Sequence, residues 1–342
     1  MYLPTVIIFI GFSILTLIYS IKNRKIKIEN NLFLNEILIA ILFLVSGILF
    51  PFIYQFHSPS LSKESLNFLW FFTSTLLIFE IGAWAIVFIY NGTIAWRNPE
   101  IMAERDYNKY CEEFNKNFVD DLKSEVTRKG LHIFTCFVIF FFWSLGLILD
   151  DLGILAQWGL DNYSFSYWLI ITIGFGFVIM FQIGDLIRLN KFYMLPKWSK
   201  RWYLGMRKEE QYTFIASTPL ALSFTPFLFM PFPIFGAIVL ITTGADAMAC
   251  VIGKKYGTHR LRTNPEKTVE GLIVGGLSTF LIVLIISIIY SPWMPVSMVK
   301  MFIMASIATL FFLIVDAFAK NISDNILNPF LTGFGMWIIY II

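Results

Sequence analysis

Apolar residues run through this chain in long unbroken blocks, separated by short polar stretches, rather than alternating with polar neighbours. Ten blocks stand out, near residues 2–21, 33–54, 66–90, 131–149, 166–187, 213–231, 233–251, 271–290, 298–318 and 329–342. Crossing a hydrocarbon layer of ~30 Å takes roughly 20 helical residues, and most of the blocks reach that length. None shows the period-two alternation of a barrel strand, and a backbone in lipid must satisfy its own amides within each segment. The pattern therefore predicts an all-α, polytopic helical transmembrane protein of about ten spans. Two blocks are the least regular: the one ending in Met230-Pro231-Phe232-Pro233, which forces a very short hairpin, and the last, which is short for a crossing.

Composition agrees. Hydrophobic residues make up 57% of the chain and charged residues 14%, with a mean hydropathy of +0.72, which excludes a water-soluble core. A formal charge of +3 gives no reason to expect a nucleic-acid partner. Cys111, Cys136 and Cys250 are scattered, with no spacing of a zinc site or a disulfide framework. The first block, Tyr2 to Ile21, is followed rather than preceded by basic residues, Lys22, Arg24, Lys25 and Lys27, and reads as a retained helix instead of a cleaved signal.

Where the cations fall fixes the expected orientation. Of the 26 Lys and Arg residues, 24 lie in the alternate connections 22–30, 91–130, 188–212, 252–270 and at Lys320; Lys63 and Lys300 are the exceptions. Cytoplasmic connections carry such an excess, so both termini are expected outside. Three regions follow: a three-span N-terminal extension over 1–95, a cytoplasmic amphipathic segment over 96–130, and a seven-span core over 131–342. The mixed-charge segment Asn91 to Gly130 reads as one or two helices lying at the inner surface, with 95–120 also readable as a solvated linker helix.

Ionisable groups at a membrane edge are expensive, so each is a functional candidate. Five clusters gather at the basic face. Glu125, Arg128, Lys129 and His132 share one helix face by their three- and four-residue spacing. Gly184-Asp185 and Arg188 close the fifth span, with Asp185 either a metal ligand or a charge held by Arg188. Arg207-Lys208-Glu209-Glu210 opens the sixth, where acids also suit a helix dipole. The fourth cluster runs from Asp246 through Gly253-Lys254-Lys255-Tyr256-Gly257 to Lys267-Thr268-Val269-Glu270-Gly271. Asp246 stands among small residues inside an apolar span, and a helix start flanked by lysines suits a polyphosphate. It is not a Walker loop, and Gly271, Gly275 and Gly276 also read as a helix-packing face. The fifth holds Asp316, Lys320 and Asp324-Asn325 before Asn328-Pro329; Asp316 and Lys320 are spaced to pair, and Asp324-Asn325 offers oxygen ligands of the kind Mg²⁺ prefers.

These residues resemble the membrane-embedded, CTP-dependent polyprenol kinase family, which comprises dolichol kinase, phytol and farnesol kinases and the fungal CTP-dependent diacylglycerol kinase. The resemblance covers roughly 125–335 and rests on Glu125-x-x-Arg128-Lys129-x-x-His132, Asp185-x-x-Arg188, the Asp246-Ala247 to Gly257 run, Lys267-Thr268-x-Glu270-Gly271 and Asp324-Asn325-x-x-x-Pro329. The central motifs are shared with the phosphatidate cytidylyltransferases, which close on a different signature; the final motif here is similar to that of the kinases. Asp316 stands where those kinases are expected to carry glutamate. The resemblance implies a kinase moving the γ-phosphate of CTP to the hydroxyl of a polyprenol-type lipid alcohol, with a cytidylyltransferase as the alternative. It implies catalytic roles for Asp246, Lys267, Arg128, Lys129 and Asp324. CTP contacts are expected at Gly253, Lys254, Lys255, Gly257, Thr268, Glu270, Gly271, His132 and Asn325, and Mg²⁺ at Asp246, Asp324 and Asp185, with a general base among Asp246, Asp324 and Glu270. The expected setting is an integral membrane protein with a cytoplasmic-face site, in the endoplasmic reticulum or a prokaryotic plasma membrane.

Overall fold

The computed structural model describes residues 1–29, 31–118, 122–203 and 206–342. The helices, in chain order, are α1 (Leu3–Lys22), α2 (Arg24–Glu29), α3 (Phe33–His57), α4 (Lys63–Arg97), α5 (Pro99–Glu104), α6 (Tyr107–Asn117), α7 (Leu122–Asp151), α8 (Ile154–Gln157), α9 (Asn162–Lys191), α10 (Ser217–Ser223), α11 (Phe232–Leu240), α12 (Asp246–Tyr256), α13 (Val269–Ile289), α14 (Met298–Phe318) and α15 (Asp324–Ile341). No described residue belongs to a strand; a single isolated bridge joins Arg260 and Thr268.

Among the described residues, eight helical segments are long and apolar enough to cross a membrane: α1, α3, α4, Arg128–Asp151 of α7, Asn162–Met194, the joined α11–α12 segment Phe232–Tyr256, α13 and α14. The stretch 213–231 departs from the expected single span. Its helix α10 ends at Ser223 and a 3-10 turn, Thr225–Phe229, takes over, because Pro219 and Pro226 each remove a backbone donor where a continuous helix needs one. Even so, it reaches the far end of the bundle, where the Leu228 carbonyl lies 2.7 Å from His57 Nε2. Helix α15 carries Pro329 inside it and ends beside Lys300, whose ammonium donates to the Tyr340 carbonyl at 2.8 Å.

The starts of these helices follow from their capping residues. Ser62 accepts from the Ser65 amide at α4, Asp161 and Ser164 form a reciprocal capping box at α9, and Thr268 and Ser297 accept from Gly271 and Lys300 at α13 and α14. Within the polar segment after α4, α5 and α6 are short helices. Tyr110, Cys111 and Phe114 of α6 bury one face against Phe192, Tyr203, Met206 and Ile215.

One apolar core runs through α1, α3, α4, α7, α9 and α11. Phe9, Phe43, Phe50 and Phe175 pack at its N-terminal side, and Trp143 stacks on Phe232 with ring centroids 3.8 Å apart. The first three spans thus share the core of the rest of the chain. Of the 24 clustered cations, the side chains of Lys123, Lys200 and Arg201 lie outside the described residues.

Candidate functional site

Helices α7, α12, α14 and α15 bring their charged ends together at the basic end of the bundle. The buried pair at the centre is Lys129 of α7 with Asp246 of α12, whose side chains are 4% and 5% exposed. Lys267 pairs with Asp316 at the end of α14, and its ammonium stands 3.7 Å from Asp324 at the start of α15. Lys267 is 30% exposed and Asp324 18%, so the cluster is open to solvent on that side and closed at Asp246. Burial alone would depress the Lys267 pKa, but Asp324, Asp246 and Asp316 raise it, so that this lysine stays charged.

Asp246 is placed by an irregularity in its own span. A single π-helical turn, Ile241–Ala245, separates α11 from α12. Thr242 and Thr243 return their hydroxyls to the carbonyls of Ile238 and Val239, and the widened turn resets the register immediately before Asp246. Turns of this kind recur at functional sites because they re-aim a side chain inside an otherwise regular helix.

A second layer of charge surrounds the pair. Glu125 holds Arg128, accepts from Cys250 Sγ at 3.5 Å, and lies 3.7 Å from Lys254 Nζ. Burial would raise the Glu125 pKa, yet Arg128, supported by Arg207 and Lys254, lowers it to about 2. Arg207 is exposed, and its guanidinium feels Asp324, Glu210, Glu125 and Asp246, acids that favour its charged form. The spacing of Arg207-Lys208-Glu209-Glu210 had an equally good reading as helix-dipole acids. What the sequence did not reveal is that Glu210 turns inward, accepting from the amides of Arg207 and Ala216 at 2.6 and 2.8 Å, and so fixes the loop that presents Arg207.

That loop is anchored from the other side by the residues expected as a metal site. Asp185 is fully buried and both its oxygens are used: Oδ1 accepts from Arg188 Nε at 2.9 Å and Oδ2 from the Ile215 amide at 2.7 Å. Arg188 also donates to the carbonyls of Glu210 and Thr213 at 3.0 and 2.6 Å. Asp185, expected as a metal ligand, is engaged with Arg188 and the Ile215 amide and acts here as a structural anchor. Lys27 and Glu36 do the same from the N-terminal spans, paired at 2.5 Å, with Lys27 on the Tyr212 carbonyl and Thr213 Oγ1 donating to Glu36 at 2.8 Å.

The glycine-lysine loop divides into packing and charge. Gly257 touches both Gly253 and Thr268 so closely that a Cβ there would lie 2.3 Å from the Gly253 carbonyl. Gly271 meets the Ala249 carbonyl in the same way, and Gly275 sits against Phe312 and Ala249, so these glycines let α12, α13 and α14 approach. The amides expected to cradle phosphate at the start of α13 are already used. Val269 N–H donates to the His259 carbonyl at 2.8 Å and Gly271 N–H to Thr268 Oγ1 at 3.2 Å. Glu270 accepts from the Thr258 hydroxyl at 2.8 Å and pairs with His259 at 2.7 Å, which makes it a brace of the loop rather than a base at the cluster. Lys255 lies over the Tyr256 ring, and Asn325 uses its carbonyl to accept from Ser223.

From His132, one turn along α7 from Lys129, a cavity of about 210 Å³ opens between α7, α9 and α10. His132 is buried and its Nδ1 has no hydrogen-bond partner; Arg128 Nε and Asn328 Oδ1 are in the same condition. They stand among several such buried groups in the described residues and differ from most in lying beside the charged cluster.

Residues 197–319 match the cytidylyltransferase family. The matched stretch is a little over a third of the chain and contains Arg207, Asp246, Lys267 and Asp316. It supports the broad family of CTP-using, lipid-related enzymes for this chain. It ends before Asp324, and the α7 cluster Glu125 to His132 lies ahead of it. No curated protein and no solved structure matches the chain.

Proposed function

We propose that the protein is a membrane-embedded, CTP-dependent lipid-alcohol kinase, similar to dolichol kinase, that makes a polyprenyl-type phosphate and CDP. The observation that carries this reading is the convergence of Asp246, Asp316 and Asp324 with Lys129, Lys267 and Arg207 at the end of the spans. Phosphoryl transfer asks little covalent work of a protein; it needs aligned phosphates and cations on the developing charge. The cluster offers both at a membrane edge, where a lipid hydroxyl and a soluble nucleotide can meet. In this reading the site faces the cytoplasm, as the distribution of Lys and Arg supports.

The donor set fits a hard cation that arrives with the nucleotide. Among the described residues no three His, Cys, Asp or Glu side chains form a ready metal cage. Mg²⁺ is commonly held by one or two carboxylates together with substrate phosphates, and Asp246 and Asp324 supply those oxygens here. Mg²⁺ so bound would neutralise phosphate charge. Lys267 and Arg207, on the accessible side, receive the phosphates, with Lys129 and Arg128 behind them. The lipid oxygen attacks the γ-phosphorus, the bond to the β–γ bridging oxygen breaks, CDP departs, and the hydroxyl proton passes to the Asp246–Asp324 carboxylate pair.

The family match favours a second reading, in which a lipid phosphate attacks the α-phosphorus and pyrophosphate leaves. The closing Asp324-Asn325-x-x-x-Pro329 segment, outside that match, supports the kinase. Purified protein incubated with CTP and a panel of lipid alcohols, followed by mass spectrometry of the lipids, tests the proposal. The expected product is the monophosphate of at least one long-chain alcohol; its absence from every alcohol, alongside a CDP-lipid from a lipid phosphate, would sink the kinase.

A further inference from the structure

The cavity that starts at His132 leads away from the ion cluster into the depth of the bundle. Its α9 wall runs from Ile170 to Phe181, roughly 16 Å at 1.5 Å per residue, about half the hydrocarbon thickness of ~30 Å. Ile, Val, Leu and Phe from α7, α9 and α10 make up most of the lining, and His132 is its one ionisable residue among those described. An apolar groove whose lining includes a buried histidine with an unpartnered nitrogen suits an amphiphile, with chain and head in fixed order. The head end lies one helical turn from the Lys129–Asp246 pair, so whatever head occupies it is delivered to the charged cluster.

We propose that this groove binds the hydrocarbon chain of the acceptor lipid alcohol and that the acceptor hydroxyl sits against His132 Nδ1. The proposal rests on the lipid-alcohol kinase reading and moves His132 from the nucleotide to the lipid side of the site. Gly174 provides a clean probe. It lines the groove, and a Cβ built on it meets nothing within 4 Å, so a side chain there enters free space without displacing a neighbour.

Gly174→Phe should slow transfer to a long-chain prenol by about tenfold or more, the scale on which a filled apolar pocket discriminates. The loss should shrink as the prenol is shortened to five carbons, so that the ratio of long-chain to short-chain transfer carries the effect. Long-chain transfer at the parental rate in Gly174→Phe would overturn the proposal. A direct arm separates the groove from the nucleotide chemistry and does not depend on the variant folding. A long-chain alcohol with a diazirine in its tail is crosslinked to the parent protein without CTP. Label on peptides covering 132–139, 170–181 or 217–228 supports the groove; label confined to other helices overturns it whether or not the protein is a kinase. Stronger labelling of the same peptides by the matched lipid phosphate would overturn the assignment of an alcohol.

Discussion

At the scale of single residues, the centre of the site is a set of acids neutralised by lysines. Lys129 on Asp246, and Lys267 between Asp316 and Asp324, are pairs that a polyphosphate and its cation can exchange into without leaving buried charge alone. Asp246→Asn keeps the shape and removes one of those charges. Lipid phosphorylation should fall by about 10²–10³, the scale on which one electrostatic contact to the transferring group is lost, while membrane insertion is retained. Turnover at the parental rate in an assay of labelled lipid phosphate would remove Asp246 from the chemistry. Glu125 gives a pH signature. Its folded pKa of about 2 lies below its ordinary 4.5, so its contribution to stability is present above about 4.5 and is lost as pH falls toward 2. The thermal stability gap between the parent and Glu125→Gln in detergent should hold steady at neutral pH and close over that acidic window. Most of these residue types were legible in the sequence because expensive charges at a membrane edge announce themselves. Partners were not: Asp316 is spaced to pair with Lys320 yet is held by Lys267, and Asp185 reads as a ligand until its buried hydrogen bonds are seen.

At the scale of elements, the site depends on how closely α12, the 257–268 loop and α13 approach one another. The glycine run reads as a packing face and as a phosphate-binding helix start at once, because both need small residues. The close contacts of Gly257, Gly271 and Gly275 show the packing role. Gly257→Ala places a methyl against the Gly253 carbonyl and Thr268, and should destabilise the protein by about 1–3 kcal/mol, as forced overpacking does. Thermal unfolding in detergent measures this; an unchanged midpoint would mean that the loop stands further from α12. The π-turn before Asp246 left no mark in the hydropathy pattern, since it changes register without changing composition. The broken 213–231 stretch was partly legible, its prolines marking where a continuous helix fails.

At the scale of the whole molecule, the all-helical architecture follows directly from apolar block length, and eight of the blocks became helices of membrane-spanning length. Integration of the N-terminal spans was not legible, because the buried Lys27–Glu36 pair touches residues 212 and 213, far away in sequence. The orientation has its own test. Asn162-Tyr163-Ser164, on the expected outer side, has the spacing of a glycosylation acceptor, but Asn162 is buried in the first turn of α9 and makes a poor reporter. Single cysteines at exposed Lys255 and Trp158 serve better. In intact cells a membrane-impermeant maleimide should label the second and spare the first; the reverse pattern would put the site on the outer face. The reaction itself is tested most directly by giving the purified protein CTP labelled in the γ-phosphate, together with a long-chain alcohol and a lipid phosphate. A kinase places the label on the alcohol and releases unlabelled CDP, whereas label recovered in pyrophosphate, with cytidine on the lipid, would contradict phosphoryl transfer.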